Sequence, residues 1–378
     1  MENKPIRIFN IQYSQEDKRL IHKLVDRVID EAFLSNHTLC RELENKINQL
    51  QNSKFCITTS SATSGLEAVF RTIDVNNKAV IVQSNTFIAT AHAIQAAGGI
   101  IIPLDLDEQY VASYQDLLVA KEFCKKRNLE IGAVCVVNIA GRASDDLFKI
   151  RDFLINKNIP LVEDNAQGFL SKLNNNSLGT IGDFSATSFQ TTKVVACGEG
   201  GAVNVKEEKE ANKIRNNIFY GKSDKIKEIF DKTSGNFKLS ELNAALTLAD
   251  LERCKERIKR RQDINTIYAN SVNSEYCKIL IPPKGNEPSC YKTIFMAKDK
   301  NIRKEIEIFF ASKNIAMTGS VYRTPISHQP RVFNSNYLNR DLPYTEKFCT
   351  LHFAPPNYPE LTNDEVYRVV EALNTFQI

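Results

Sequence analysis

Short, almost unbroken apolar runs punctuate the first two-thirds of the chain: KAVIVQS (78–84), GGIIIPLDL (98–106), IGAVCVVNIA (131–140) and NIPLVEDNAQ (158–167). Runs without polar alternation are what strands buried on both faces require. Helix-length segments such as TFIATAHAIQAAG and DDLFKIRDFLINKN lie between them. The pattern predicts parallel strands joined by crossover helices, an α/β fold around a mainly parallel central sheet. Ligands of such sheets gather beyond the carboxyl ends of the strands. The residues that follow each run are therefore the ones to inspect.

A different period begins near residue 239. LSELNAALTLADLERCKERIKRRQDINTIYANS (239–271) puts Leu242, Ala245, Leu246 and Ala249 on one face and turns basic in its later half. It reads as one long helix bridging two domains, a larger one over 1–250 and a smaller one over 251–378, with the N-terminal segment able to pack on the smaller. Beyond it PPKGNEPS (282–289) marks a loop, and PELTNDEVYRVVEAL holds a final helix capped by Thr362 or Asn363 ahead of Glu365.

Composition narrows the class. With 378 residues, 42% hydrophobic and 25% charged, the chain has the usage of a globular protein. Its net charge of +4, spread over 49 basic and 45 acidic residues, is too slight to argue for nucleic acid and compatible with an anionic small molecule. Nine cysteines form no CxxC pair, which fits a reducing cytoplasm better than a disulfide framework. Five histidines fall at no metal-ligand spacing, and no segment reads as a signal peptide or a membrane span. No metal site is expected.

The candidate chemistry lies at the strand ends. CITTSSATSGLEAVFRTI (56–73) sets small hydroxyl residues before an amphipathic helix, either an ordinary N-cap or a cradle for an anion. In VEDNAQG, Asp164 and Gln167 emerge where a buried strand opens into a crevice; an aspartate there can keep a ring nitrogen protonated, or simply serve a loop. GTIGDFSATSFQTTKVVACGEGGAV (179–203) has a strand ending near Ser188, a turn carrying Lys193, and glycines that permit positive backbone dihedrals or close approach. A desolvated lysine sheds its proton readily and can attack an aldehyde. Anion cradle, aspartate and amine together describe a site for pyridoxal phosphate.

The segments SSATSGLEA, NTFIATAHAI, VEDNAQG, GDFSATSFQTTKVVACGEGGAV, GNFKLSELNAAL and LPYTEKFCTLHFAPP, in that order and across nearly the whole chain, resemble the DegT/StrS group of aminotransferases. These are fold-type I pyridoxal-phosphate enzymes, mostly acting on nucleotide-linked keto sugars. The resemblance implies a large cofactor-binding domain and a smaller C-terminal α+β domain. It makes Lys193 the Schiff-base lysine and Asp164 the partner of the pyridine nitrogen. Gln167 would bond the ring hydroxyl, Thr63, Ser64 and Ser188 would hold the phosphate, and Phe87 would stack on the ring. Asn236 would reach the phosphate of a neighbouring subunit, which implies a homodimer with shared sites. An amino donor, glutamate by resemblance, and the keto sugar would use one site in alternation, with Lys193 moving the proton.

Some positions depart from the family pattern. Asn138 and Gln190 stand where the family often has histidine, and SFQ followed by lysine is similar to the branch acting on cyclitols and other carbocyclic ketones. Lys193 argues against the family's sugar dehydratases, which carry histidine there. The GEGG form favours 4-amino sugars, hence a 4-keto-6-deoxy substrate and a product for surface polysaccharide or glycoconjugate synthesis. A pyridoxal-phosphate-binding regulator is the non-enzymatic alternative. It would need a DNA-binding module, for which the chain has no spare length. For the sugar side the candidates are His37, Tyr322 and His328, with Lys238 a candidate for the nucleotide phosphates.

Overall fold

The unbroken apolar runs become strands covered on both faces. In the computed structural model, which describes residues 4–223, 225–226, 228–319, 322–330, 332 and 340–378, the strands are β1 (Phe55–Thr59), β2 (Ala79–Gln83), β3 (Ile100–Leu104), β4 (Ile131–Val137), β5 (Leu161–Asp164), β6 (Lys172–Leu173), β7 (Asn176–Ser177), β8 (Phe184–Ser188), β9 (Gly201–Val205), β10 (Cys277–Ile279), β11 (Asn286–Glu287), β12 (Phe295–Ala297) and β13 (His352–Phe353). The helices are α1 (Gln15–Glu31), α2 (Thr38–Gln51), α3 (Ala62–Ile73), α4 (Ile88–Ala96), α5 (Tyr114–Lys126), α6 (Leu147–Ile155), α7 (Glu208–Asn217), α8 (Glu241–Glu252), α9 (Cys254–Ser271), α10 (Lys300–Ser312), α11 (Pro343–Leu351) and α12 (Asn363–Thr375).

The central sheet runs β1-β9-β8-β5-β4-β2-β3, parallel from β8 through β3, with β9 antiparallel to both its neighbours. Alternate residues of β2 enter different cores. Val80 and Val82 pack with Leu66, Val69, Phe70 and Ile94 of α3 and α4, whereas Ile81 packs with Leu117, Ile150 and Leu154 of α5 and α6. Each such side chain is stabilised by roughly 1.5–3 kcal/mol on burial. Both faces need apolar residues, which is why the strands show no alternation.

The expected long helix is two helices. Arg253 (φ −102°, ψ 2°) closes α8 and opens α9. No glycine or proline marks the break; tertiary contacts accompany it. Arg253 Nη1 bonds Asp17 Oδ2 at 2.7 Å, and the Asp250 carboxylate accepts from the Ala196 N–H (2.8 Å) and from Arg257. The break also separates two cores along the chain. Ala244, Ala245 and Leu251 pack with α2, while Ile264 and Tyr268 join a core containing Phe295, Phe310, Phe353, Val366 and Leu373 around the antiparallel sheet β10-β12-β13. Ile6, bridged to Ile315, belongs to that second core. Thr362 is the N-cap of α12 in a full capping box with Glu365.

Candidate active site

Three parallel strands end at one cavity of about 540 Å³. Val137, Asp164 and Ser188, the last residues of β4, β5 and β8, all line it. From the sheet side it is also lined by Ser61 and Thr63 at the start of α3 and by Thr86 and Phe87 before α4. Arg261, Tyr291, Lys292, Thr318, Tyr322 and Asn357, all from the C-terminal third, complete it together with Ile8 and Phe9.

The hydroxyl run before α3 is both cap and cavity wall. Ser61 and Ser64 form a capping box: Ser61 Oγ accepts from the Ser64 N–H (3.1 Å) and Ser64 Oγ from the Ser61 N–H (3.0 Å). Ser64 is therefore buried in the cap and does not line the cavity, whereas the exposed Thr63 does. A helix start presents unsatisfied N–H groups and a partial positive charge, suited to phosphate. Gly201 allows β9 to run against this turn: a Cβ there would stand 2.5 Å from the carbonyl carbon of Ser61 and 2.6 Å from the Ala62 nitrogen. Gly198, in the same GEGG turn, has φ +92°. Glu199 lines the cavity between them.

Lys193 sits in the turn after β8, its N–H bonded to the Gln190 carbonyl at 2.8 Å. Its Nζ lies 4.8 Å from the centre of the Tyr291 ring and has no ion-pair partner among the described residues. Asp164 is 6% exposed. Its Oδ2 accepts from Thr90 Oγ1 at 2.6 Å and its Oδ1 from the Ala166 N–H at 3.1 Å. Burial raises its pKa, against the pull of those two bonds and of the Lys193 charge. Gln167 accepts from the Ala140 N–H (2.9 Å) and donates to the Tyr322 hydroxyl, so its amide is held at the cavity wall. Phe87 is the N-cap residue of α4 and 47% exposed, not a core side chain.

Four other candidates do not line the cavity of their own chain. His37 caps α2, stacks on Phe33 at 4.1 Å and lies 3.6 Å from Glu31. His328 is 3.6 Å from Glu346. Asn236 is exposed and bridged to Phe219, while Lys238 Nζ lies 4.3 Å from the Phe219 ring. Asn138, in place of the family's frequent histidine, donates to Glu163 and Asn165, each at 3.0 Å. Gln190 lines the cavity and accepts from the backbone and hydroxyl of Thr192.

Sequence reasoning missed Thr90, Tyr291, Lys292 and Arg261. Thr90 is within reach of a pattern argument, lying one helical turn after Phe87. The other three belong to distant segments with no local signature. All nine cysteines are buried free thiols, and no helix among the described residues is long and apolar enough to cross a membrane.

An amine, a buried carboxylate and a helix start around one cavity fit a phosphorylated pyridine aldehyde: the carboxylate suits a protonated ring nitrogen, the amine an aldehyde carbon, the helix start a phosphate. The fold is that of the fold-type I aminotransferases. The match to the family model is direct. Residues 15–374 fit that of the DegT/DnrJ/EryC1/StrS aminotransferase family, and the chain belongs to it. Its cofactor is pyridoxal 5′-phosphate. Similar proteins include the GDP-perosamine synthase of Escherichia coli O157:H7, 25% identical over 93% of this chain and 94% of that one. The dTDP-3-amino-3,6-dideoxy-alpha-D-galactopyranose transaminase of Aneurinibacillus thermoaerophilus is 26% identical over 98% of each. Among solved structures, the PLP-form of a putative sugar aminotransferase from Streptococcus pneumoniae superposes with a TM-score of 0.86 at 20% identity, over 98% of each chain.

Proposed function

We propose that this aminotransferase moves an amino group from glutamate to a nucleotide-linked 4-keto-6-deoxy sugar, yielding an amino sugar for surface polysaccharide or glycoconjugate synthesis in the cytoplasm. The observation that carries the reading is the convergence of Lys193, Asp164, Ser188 and the α3 start on one cavity. Related chains named for sugar-nucleotide amination support the substrate class. The GEGG turn supports amination at the 4-position. Ile8, Phe9, Met317 and Pro355 add apolar lining suited to a sugar methyl group.

When bound, pyridoxal phosphate supplies the carbonyl carbon and the electron sink for transamination. The chain does the rest. Thr63, Ser188 and the α3 start, which line the cavity, would hold the phosphate, and Phe87 would stack on the ring. Asp164, whose carboxylate accepts from the Thr90 hydroxyl and the Ala166 N–H, two bonds that favour its ionised form against burial, would hold a proton on the ring nitrogen. Gln167, oriented by Ala140 and Tyr322, would meet the ring hydroxyl. Lys193 would hold the cofactor through Nζ, and the same Nζ, when free, would take the proton from the donor's α-carbon. The second substrate uses these groups in reverse, which requires ping-pong kinetics.

Asn236 and Lys238 would serve the partner's site in a homodimer. Their position outside their own cavity supports this, as do the exposed Phe33, Leu34, Phe219, Tyr220 and Phe230. The test incubates the holoenzyme with glutamate and a panel of 3-keto and 4-keto nucleotide sugars, reading product mass and, by NMR, the aminated carbon. Glutamate-dependent amination at C4 is expected. Products aminated only at C3, or only from carbocyclic ketones, would overturn the substrate assignment.

A further inference from the structure

Two cations from the C-terminal third, Lys292 and Arg261, line the cavity, and the assigned cofactor contacts do not use them. Lys292 Nζ lies 5.5 Å from the centres of both the Tyr291 and Tyr322 rings. Its Nζ donates to Thr318 Oγ1 at 2.8 Å. Arg261 is buried, and its Nη1 donates to the carbonyls of Tyr291 (3.3 Å) and Asn357, both neutral acceptors, while its Nε has no partner among the described residues. Neither cation has an ion-pair partner among the described residues. Burial pulls both groups below their ordinary pKa, Arg261 to about 10. Desolvated positive charge without a direct ion-pair partner is costly, so a wall built this way is stabilised by an anion that arrives with a ligand.

Position identifies which anion. Lys193 and Lys292 flank the same ring, that of Tyr291, so the anion lies beside the reacting amine. In an amino acid the carboxylate is attached to the very carbon that bears the nitrogen. In a 4-keto nucleotide sugar, the diphosphate is separated from the reacting carbon by the width of the sugar ring. We propose that Lys292, supported by Arg261, forms a carboxylate subsite that receives the α-carboxylate of the amino donor. This rests on the transaminase reading above. Thr318 aims the ammonium, and the two tyrosine rings exclude water from it.

The test uses holoenzyme carrying Lys292→Met, which keeps the length and removes the charge, alongside Lys292→Arg, which restores the charge. Calorimetry with glutarate, a dicarboxylate without an amine, reads the subsite in the absence of turnover. The expected result is about 30-fold weaker binding in Lys292→Met, the scale of one lost charge-assisted hydrogen bond, and recovery to within about fivefold in Lys292→Arg. In the donor half-reaction the half-saturating glutamate concentration should rise by a similar factor, while cofactor affinity and maximal rate move less than about threefold. Unchanged glutarate and glutamate saturation would overturn the subsite. So would a loss confined to cofactor affinity, which would assign the cation to the cofactor phosphate, or to keto-sugar saturation, which would assign it to the diphosphate. If no amino acid converts the wild-type cofactor, the transaminase reading fails, and glutarate binding still decides the anion subsite.

Discussion

Thr90 gives a sharp test of how the buried acid is kept working. Asp164 is almost fully enclosed, and burial alone drives its carboxyl toward the neutral form, which cannot hold a proton on a ring nitrogen. Its shortest bond is the 2.6 Å contact from Thr90 Oγ1, whose oxygen in turn is 2.8 Å from Thr86 Oγ1. Thr90→Val keeps the shape and deletes the hydroxyl. A hydrogen bond to a charged group contributes about 1.5–3 kcal/mol, so losing it should raise the Asp164 pKa further above the ordinary carboxylate range. Donation to the ionised form favours ionisation; its loss moves the acid limb of the kcat/KM profile to higher pH. At neutral pH, kcat/KM should fall by about 10- to 100-fold. The assay is a pH profile of the glutamate half-reaction for wild type and variant, with Thr90→Ser as the conservative control. A variant whose acid limb stays within about 0.3 units of wild type and whose kcat/KM stays within about threefold would refute the role.

Other predictions follow from the same geometry. Lys193→Ala should abolish turnover and leave cofactor that borohydride no longer fixes to the protein; substantial residual transamination would remove Lys193 from its role. Gly201→Ala places a methyl against the backbone of Ser61 and Ala62. It should weaken cofactor binding at least about tenfold and lower unfolding stability by ~1–3 kcal/mol, read by absorbance titration and urea melts. His352 is buried between the carbonyls of Phe348 and Gly319, with its pKa lowered by burial from 6.5 to about 4. Its contribution is full above pH 6.5 and is lost as the pH falls toward 4, because the unfolded chain takes up the proton first. Between pH 7.5 and 5.5 it should remove about 1.3 kcal/mol of stability. That increment should be absent in His352→Gln.

Much of this molecule was legible because its signals are local. Each apolar run of the doubly covered strands reports both neighbouring layers at once. The Thr362–Glu365 box and the glycines at 198 and 201 depend on residues a few positions apart or on backbone shape. Lys193, Asp164, Gln167, Ser188, Thr63 and Phe87 come to line one cavity because strand ends in a parallel sheet open on the same edge. What stayed hidden needed partners far along the chain. Arg253 ends a helix whose sequence carries no breaker, in a setting where Asp17, Ala196 and Arg257 hold the flanking turns. Ser64 was drawn into a cap, and His37 and His328 were turned toward Glu31 and Glu346. The cationic lining exists only because residues 261, 291–292 and 318 meet the strand ends at one cavity. Periodicity encodes which face of an element is apolar, but the charge inside a cavity depends on which distant faces meet, and that is settled only when the cores pack.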